Sequence, residues 1–165
     1  MNWLLSHRAD RQSLPLANRH YNRQHPDSPQ FVPPGRCLVL RTKDNGALWV
    51  SSWPFAEYVK HAWAGSWINS LFRRESTPIL SSILIREAVA ATRFYWPAVP
   101  DLGMVTFIDR DKVRHKRDFG RCYLRAGFEQ AGYTKAGLLA LRLDVNNMPE
   151  AEPACGSQLL LEAAS

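Results

Sequence analysis

The stretch LGMVTFIDRDKVRHKRDFGRCYLRAGFEQAGYT, residues 102–134, decides how the chain is read. Met104 to Ile108 is a short run rich in β-branched and aromatic side chains, which suits a buried strand better than a helix of that length. Asp109 ends it, and a carboxylate there stands at the carboxyl edge of a sheet, where open α/β sheets place their ligands. Residues 109–118 are too charged to be buried. Beyond them, Gly120 to Phe128 sets Tyr123, Ala126 and Gly127 or Phe128 at helical spacing, and Gly127 and Gly132 punctuate its end.

Working outward, RCLVLR (36–41) and ALWVS (47–51) are two apolar runs joined by TKDNG, whose Asn45-Gly46 pair signals a hairpin. Residues 53–63 are expected to make a helical excursion and AGSWINSLF (64–72) a further strand. Thr77 and Pro78 then open a helix with apolar residues at 79, 80, 83, 84, 88 and 91, closed by residues 94–100. Residues 136–143 supply the last strand. The segment 17–35 carries four prolines after Tyr21 and reads as a long loop, a length that is usually functional or disordered. The expected organisation is a loosely held arm at 1–16 that packs through Trp3, Leu4 and Leu5, one domain at 17–146, and a frayed tail at 147–165. The order is antiparallel strands, helix, parallel strand, helix, final strand.

A chain of 165 residues with 45% hydrophobic and 22% charged residues is large enough to bury a core without disulfides or a structural metal. No apolar run approaches a membrane span, and the amino end lacks a signal-peptide pattern, so no membrane association and a cytoplasmic location are expected. Cys37, Cys122 and Cys155 are widely spaced without a CxxC pair, which argues against a zinc site and a disulfide framework. The net charge of +6 favours an anionic partner such as nucleic acid.

The run YLRAGFEQAGYTKAGLLAL (123–141), following strand and loop, resembles the last third of the GNAT acyltransferase fold. Read in order with HYN (20–22), NSLFRRE (69–75), LSSILIRE (80–87) and TFID (106–109), it resembles the Mom-like DNA-modification proteins of phage, a GNAT-like group. The resemblance covers roughly residues 17–143. It implies an α/β fold with a GNAT-like mixed sheet flanked by helices in a single domain. The implied activity adds a carbamoylmethyl (acetamido) group to adenine N6 of double-stranded DNA, shielding it from restriction enzymes. It also implies iron, with His20 and Asp109 as ligands, although His20, Tyr21 and Asp109 are not a metal signature by spacing.

Each candidate residue has a plainer reading beside the functional one. His20 and Tyr21 are either a surface pair or, as the resemblance implies, catalytic, with the histidine as base or metal ligand and the phenol donating a proton or stacking. Asp109 either caps the next turn or serves as general base. Ser81 and Ser82 are either first-turn helix residues or, with Arg86 one turn on, face the group donor. Tyr123 is either core or the general acid of a GNAT enzyme. Arg73, Arg74, Lys112, Arg114, Lys116 and Arg117 form either a solvated face or a phosphate-binding edge, with Trp67, Phe72 and Tyr123 nearby to stack on an extruded base.

The turn where acetyltransferases hold the pyrophosphate of acetyl-CoA reads RRESTPILSS (73–82) and contains no glycine, which argues against acetyl-CoA as donor. Two rival readings follow from the same residues. One is a conventional GNAT N-acetyltransferase acting on a small amine or protein, and the other is a non-catalytic nucleic-acid-binding module.

Overall fold

The computed structural model describes residues 1–20, 23, 28–112 and 120–157. The hairpin expected at Asn45-Gly46 joins strands Arg36–Thr42 and Ala47–Trp53, paired antiparallel from Arg36↔Trp53 to Arg41↔Leu48. Asn45 takes a positive φ of 57°, and Gly46 lies so close to the next turn that a Cβ would stand 2.8 Å from the Thr77 backbone nitrogen. Both positions thus carry the residue types a tight, docked turn requires.

In chain order the strands are β1 (Trp3–Leu5), β2 (Arg36–Thr42), β3 (Ala47–Trp53), β4 (Trp67–Arg74), β5 (Met104–Ile108), β6 (Glu129–Tyr133) and β7 (Leu139–Leu143). The helices are α1 (Leu14–Asn18), α2 (Ser81–Tyr95) and α3 (Arg121–Arg125). The described strands form one mixed sheet ordered β1-β2-β3-β4-β5-β7-β6, in which β4 and β5 are the parallel pair. A parallel pair needs a crossover, and α2 provides it.

Both faces of the sheet are covered, which explains why β2 and β3 read as continuous apolar runs. Leu38, Leu40, Ala47 and Trp49 join Leu84, Ile85, Ala88 and Val89 of α2 in the larger core. Val39, Leu48, Val50 and Leu71 pack with Leu16, Ala17 and Phe31 in a smaller cluster on the α1 side. Each fully buried Leu or Val of this kind is worth about 1.5–3 kcal/mol.

The ends of the chain differ from expectation. Residues 3–5, expected to pack from a loose arm, are a strand paired with β2 from Trp3↔Thr42 to Leu5↔Leu40, and the Trp3 indole donates to the Leu84 carbonyl at 2.8 Å. The tail, expected to fray from 147, is pinned through residue 157. Glu152 N–H donates to Ala90 O, Cys155 N–H to Trp3 O, and Leu5 N–H to Gly156 O. This segment uses the outward backbone groups of β1, so the short edge strand is covered.

Three further differences have local causes. Of residues 53–63, expected to make a helical excursion, Trp53 ends β3 and Ala56–Tyr58 form a 3-10 turn, with no longer helix. The helix begins at Ser81 rather than at Pro78, because Leu80 is extended, at φ −62° and ψ 140°. The segment 129–133, passed over as the end of a helix, is β6, bulged between Gln130 and Gly132 where it pairs with β7. Among the described residues no helix is long and apolar enough to cross a membrane.

Candidate functional site

Strands β4 and β5 pair only at Trp67↔Met104, Ile68↔Val105 and Asn69↔Thr106. Beyond that point β4 continues on β3 to Arg74↔Ala47, while β5 continues on β7 to Ile108↔Leu139. The parallel pair therefore forks at its carboxyl end. On β4 the fork coincides with a bulge, since Asn69 faces Ser51 and Leu71 faces Val50, leaving Ser70 as the extra residue.

A bulge displaces backbone groups from the ladder, and Asn69 compensates. Its Nδ2 donates to Val50 O at 3.1 Å and Leu71 O at 2.9 Å, which fixes the amide so that Oδ1 accepts. The Tyr123 hydroxyl donates to that Oδ1 at 2.5 Å, and Thr106 Oγ1 lies 3.3 Å from it. Tyr123 is carried there by α3, which starts at Gly120 with φ 72°. A Cβ on Gly120 would come within 2.5 Å of Ile108 Cδ1 and Leu141 Cδ1, so only glycine lets α3 sit this close to the sheet. The phenol ring is buried and packs edge-on against Phe72 and Phe128. Tyr123 is thus a core ring whose hydroxyl points into the polar cluster at the fork.

Asp109 stands immediately beyond β5 and is partly exposed. Its Oδ1 accepts the Asp111 N–H at 3.1 Å, the turn-capping geometry of the plainer reading. His20 follows α1 and is held near the end of β4. Arg73 Nη1 donates to the Arg19 carbonyl at 2.8 Å, and the Arg19 guanidinium binds Glu75 through Nε at 2.8 Å and Nη2 at 2.5 Å. Hydrogen bonding and charge from Arg19, then Arg73, hold the Glu75 carboxyl down at about 2. Arg19 and Glu75 are the supports of His20, and neither stands out in the sequence.

Arg73 and Arg74, expected on a phosphate-binding edge, spend donors inside the fold. Arg73 also binds Glu75 at 3.0 Å. Arg74 clamps the β4–α2 turn, donating to Ile79 O at 2.7 Å and Thr77 O at 2.9 Å. Ser81 and Ser82 lie in the first turn of α2, where Leu80 gives no side-chain cap and no acidic residue is present. Arg86 lies one turn on, and its Nη1 donates to Ala126 O at 2.8 Å and Asn147 O at 3.3 Å, tying α2 to the end of α3 and to the tail. Lys112 is exposed after β5. Tyr21, Arg114, Lys116 and Arg117 lie outside the described residues.

Trp67, expected beside the site, is fully buried at the opposite end of β4, packed against Trp53 and Trp96. It has no exposed ring on which a base could stack. The residues missed were Asn69 and Thr106. An asparagine within AGSWINSLF runs against strand preference, and that is the signal that marks it.

Among the described residues no group of three His, Cys, Asp or Glu side chains is placed to hold a metal ion. Burial pushes the Cys37 thiol up despite the Ser52 hydroxyl beside it, so it is a protonated thiol near neutrality rather than a nucleophile. Comparison with family models, with curated proteins and with solved structures finds no match.

Proposed function

We propose that this chain is a GNAT-like enzyme of the Mom type, transferring a carbamoylmethyl (acetamido) group to adenine N6 in double-stranded DNA and so protecting it from restriction. The observation that carries the reading is the fork. The antiparallel strands, crossover helix and parallel strand follow the order the GNAT resemblance implies, and the fork gathers Asn69, Thr106 and Tyr123, with Thr106 three residues before Asp109 on the same strand line. The β4–α2 turn supports a donor other than acetyl-CoA. It holds no glycine, and Arg74 occupies its carbonyls.

Adenine N6 is a weak nucleophile because its lone pair is delocalised into the ring, so the site must position the base and remove a proton as the new N6–carbon bond forms. Extrusion of the base from the duplex brings N6 within reach. In this reading Asp109 accepts the proton, one of its oxygens being oriented by the Asp111 N–H. His20 assists from the β4 side, and Tyr123 donates toward the departing group.

The test is to express the protein in cells, digest their DNA to nucleosides and compare mass spectra with those from cells carrying Asp109→Ala. A new adenosine-derived mass that vanishes in the variant supports the reading and identifies the group. Identical DNA in both samples overturns it. The placement of Tyr123 also suits a conventional N-acetyltransferase, and saturable acetyl-CoA binding by the purified protein would favour that alternative.

A further inference from the structure

The loop between β3 and β4 carries an aromatic group of its own on the side of the sheet away from α2. Phe107 of β5 alternates with Met104 and Ile108 of the α2-side core, and His61 and Trp63 lie against it with ring centroids at 4.9 and 5.8 Å. Trp63 also lies over Gly132 of β6. All three rings are partly exposed.

The His61 ring is fixed in one tautomer. Its Nδ1 accepts the Trp63 backbone N–H at 3.1 Å, so the proton of the neutral imidazole is on Nε2. Burial pushes its pKa below the ordinary histidine value, which keeps the ring neutral at and above pH 7. Nε2–H has no partner among the described residues, leaving it a donor in place and not a base.

We propose that His61, Trp63 and Phe107 form the seat of an unpaired nucleobase, which stacks on these rings while His61 Nε2–H donates to an acceptor on the base edge. The seat rests on the nucleic-acid reading above and adds its base-holding wall, which Trp67 cannot supply. Phe107 lies two residues before Asp109, so a base held here is near the proposed proton acceptor, on the face of the sheet opposite to Thr106. In the same loop Lys60 and Glu57 are both exposed, and Phe55 and Tyr58 leave rings 72% and 76% exposed. Exposed aromatic faces bind single-stranded nucleic acid by stacking with little sequence preference.

The probe is a single-stranded oligonucleotide carrying the adenine isomer 2-aminopurine, titrated at pH 8 with the full chain and followed by fluorescence. Wild-type protein is expected to quench it on binding. Trp63→Ala should weaken binding about 5- to 150-fold, the worth of one stacked base. His61→Phe, which keeps a ring and removes the donor, should weaken it about 3- to 10-fold, as loss of one hydrogen bond does. His61→Gln, which presents an N–H at similar reach, should recover affinity to within about twofold, with the salt dependence unchanged in every variant because no phosphate contact is altered. Wild-type affinity and quenching in both His61→Phe and Trp63→Ala would overturn the seat while leaving the enzyme reading intact. Absence of any DNA binding by the wild type would overturn both. Ring-nitrogen NMR of the wild type needs no variant: the Nε2–H form should be present and its signal should move when the oligonucleotide is added, whereas an Nδ1–H form would overturn the proposal.

Discussion

Two carboxylates fasten the first twenty residues to the sheet through arginine, and their surroundings differ in nearly every respect. Asp10 and Arg41 meet at 3.1 Å with side chains 0% and 3% exposed. Asp10 also accepts from Ser6 at 2.6 Å, Ser13 at 3.1 Å and the Gln12 N–H at 2.9 Å. Glu75 and Arg19 meet at 2.5 Å with side chains 26% and 52% exposed. Asp10 of the first pair lies between β1 and α1, and Arg19 of the second immediately before His20. A buried ion pair is costly to break because the abandoned charge remains in a low dielectric, while an exposed pair exchanges its partner for water. The chain is therefore welded at residue 10 and adjustably held at residue 19, next to a proposed catalytic side chain.

The largest expected effect breaks the weld. Asp10→Ala leaves the Arg41 guanidinium buried without its carboxylate, a loss of about 3–5 kcal/mol. For a chain of this size that lowers the melting temperature by about 6–20 °C. Calorimetry checks it, and a shift of only a degree or two would mean that Thr42 O and Asn45 Oδ1, which Arg41 also contacts, suffice for the guanidinium.

An intermediate effect is expected at the fork. Tyr123→Phe removes the hydroxyl that donates to Asn69 Oδ1 and should cost about 0.5–1.5 kcal/mol in urea unfolding. If the phenol also donates toward the leaving group, modified adenine should fall about 100-fold or more, far beyond the stability loss. Equal and small changes in both would return Tyr123 to a purely structural role.

The contrast also explains what the sequence could reveal. Hairpin, crossover helix and β5 were legible because each rests on local chemistry: a turn pair, an apolar period, a β-branched run. The strand at Trp3–Leu5 was not, because three residues carry no period and their pairing with β2 is non-local. β6 was hidden because EQAGY has no apolar alternation, and its residues stay largely exposed on an edge completed by β7. At the site, the carboxyl-edge position of Asp109 could be read from strand length alone. The supports could not, since Arg19 and Glu75 are ordinary surface residues until the fold brings them together across fifty-six positions. Arg74 and Arg86 have fold contacts that their motifs did not announce. A basic side chain in a motif invites a ligand, and here backbone carbonyls of a turn and a helix end also accept from these side chains.

The smallest effect on stability is the sharpest test of the adjustable hold. Glu75→Gln keeps the shape and removes the charge, so an exposed pair of this kind should cost under about 1 kcal/mol, and less at high salt. The sign with pH follows from the lowered carboxyl. With an ordinary value of 4.5 and a folded value of about 2, the unfolded chain takes up the proton first, so the contribution is complete above about pH 4.5 and lost as the pH falls toward 2. Asp10, whose buried carboxyl is pushed up by burial yet held below the usual range by Ser6, Gln12, Arg41 and Ser13, loses its share in the same direction. Urea midpoints between pH 6 and pH 2.5 should therefore fall in both wild type and Glu75→Gln, more gently in the variant. If Arg19 and Glu75 serve mainly to place His20, the variant should also modify less adenine at neutral pH than its stability predicts, and the His20 ring resonances should shift. Unchanged modification with the expected acid profile would leave the clamp a fastening of the fold and separate His20 from the chemistry.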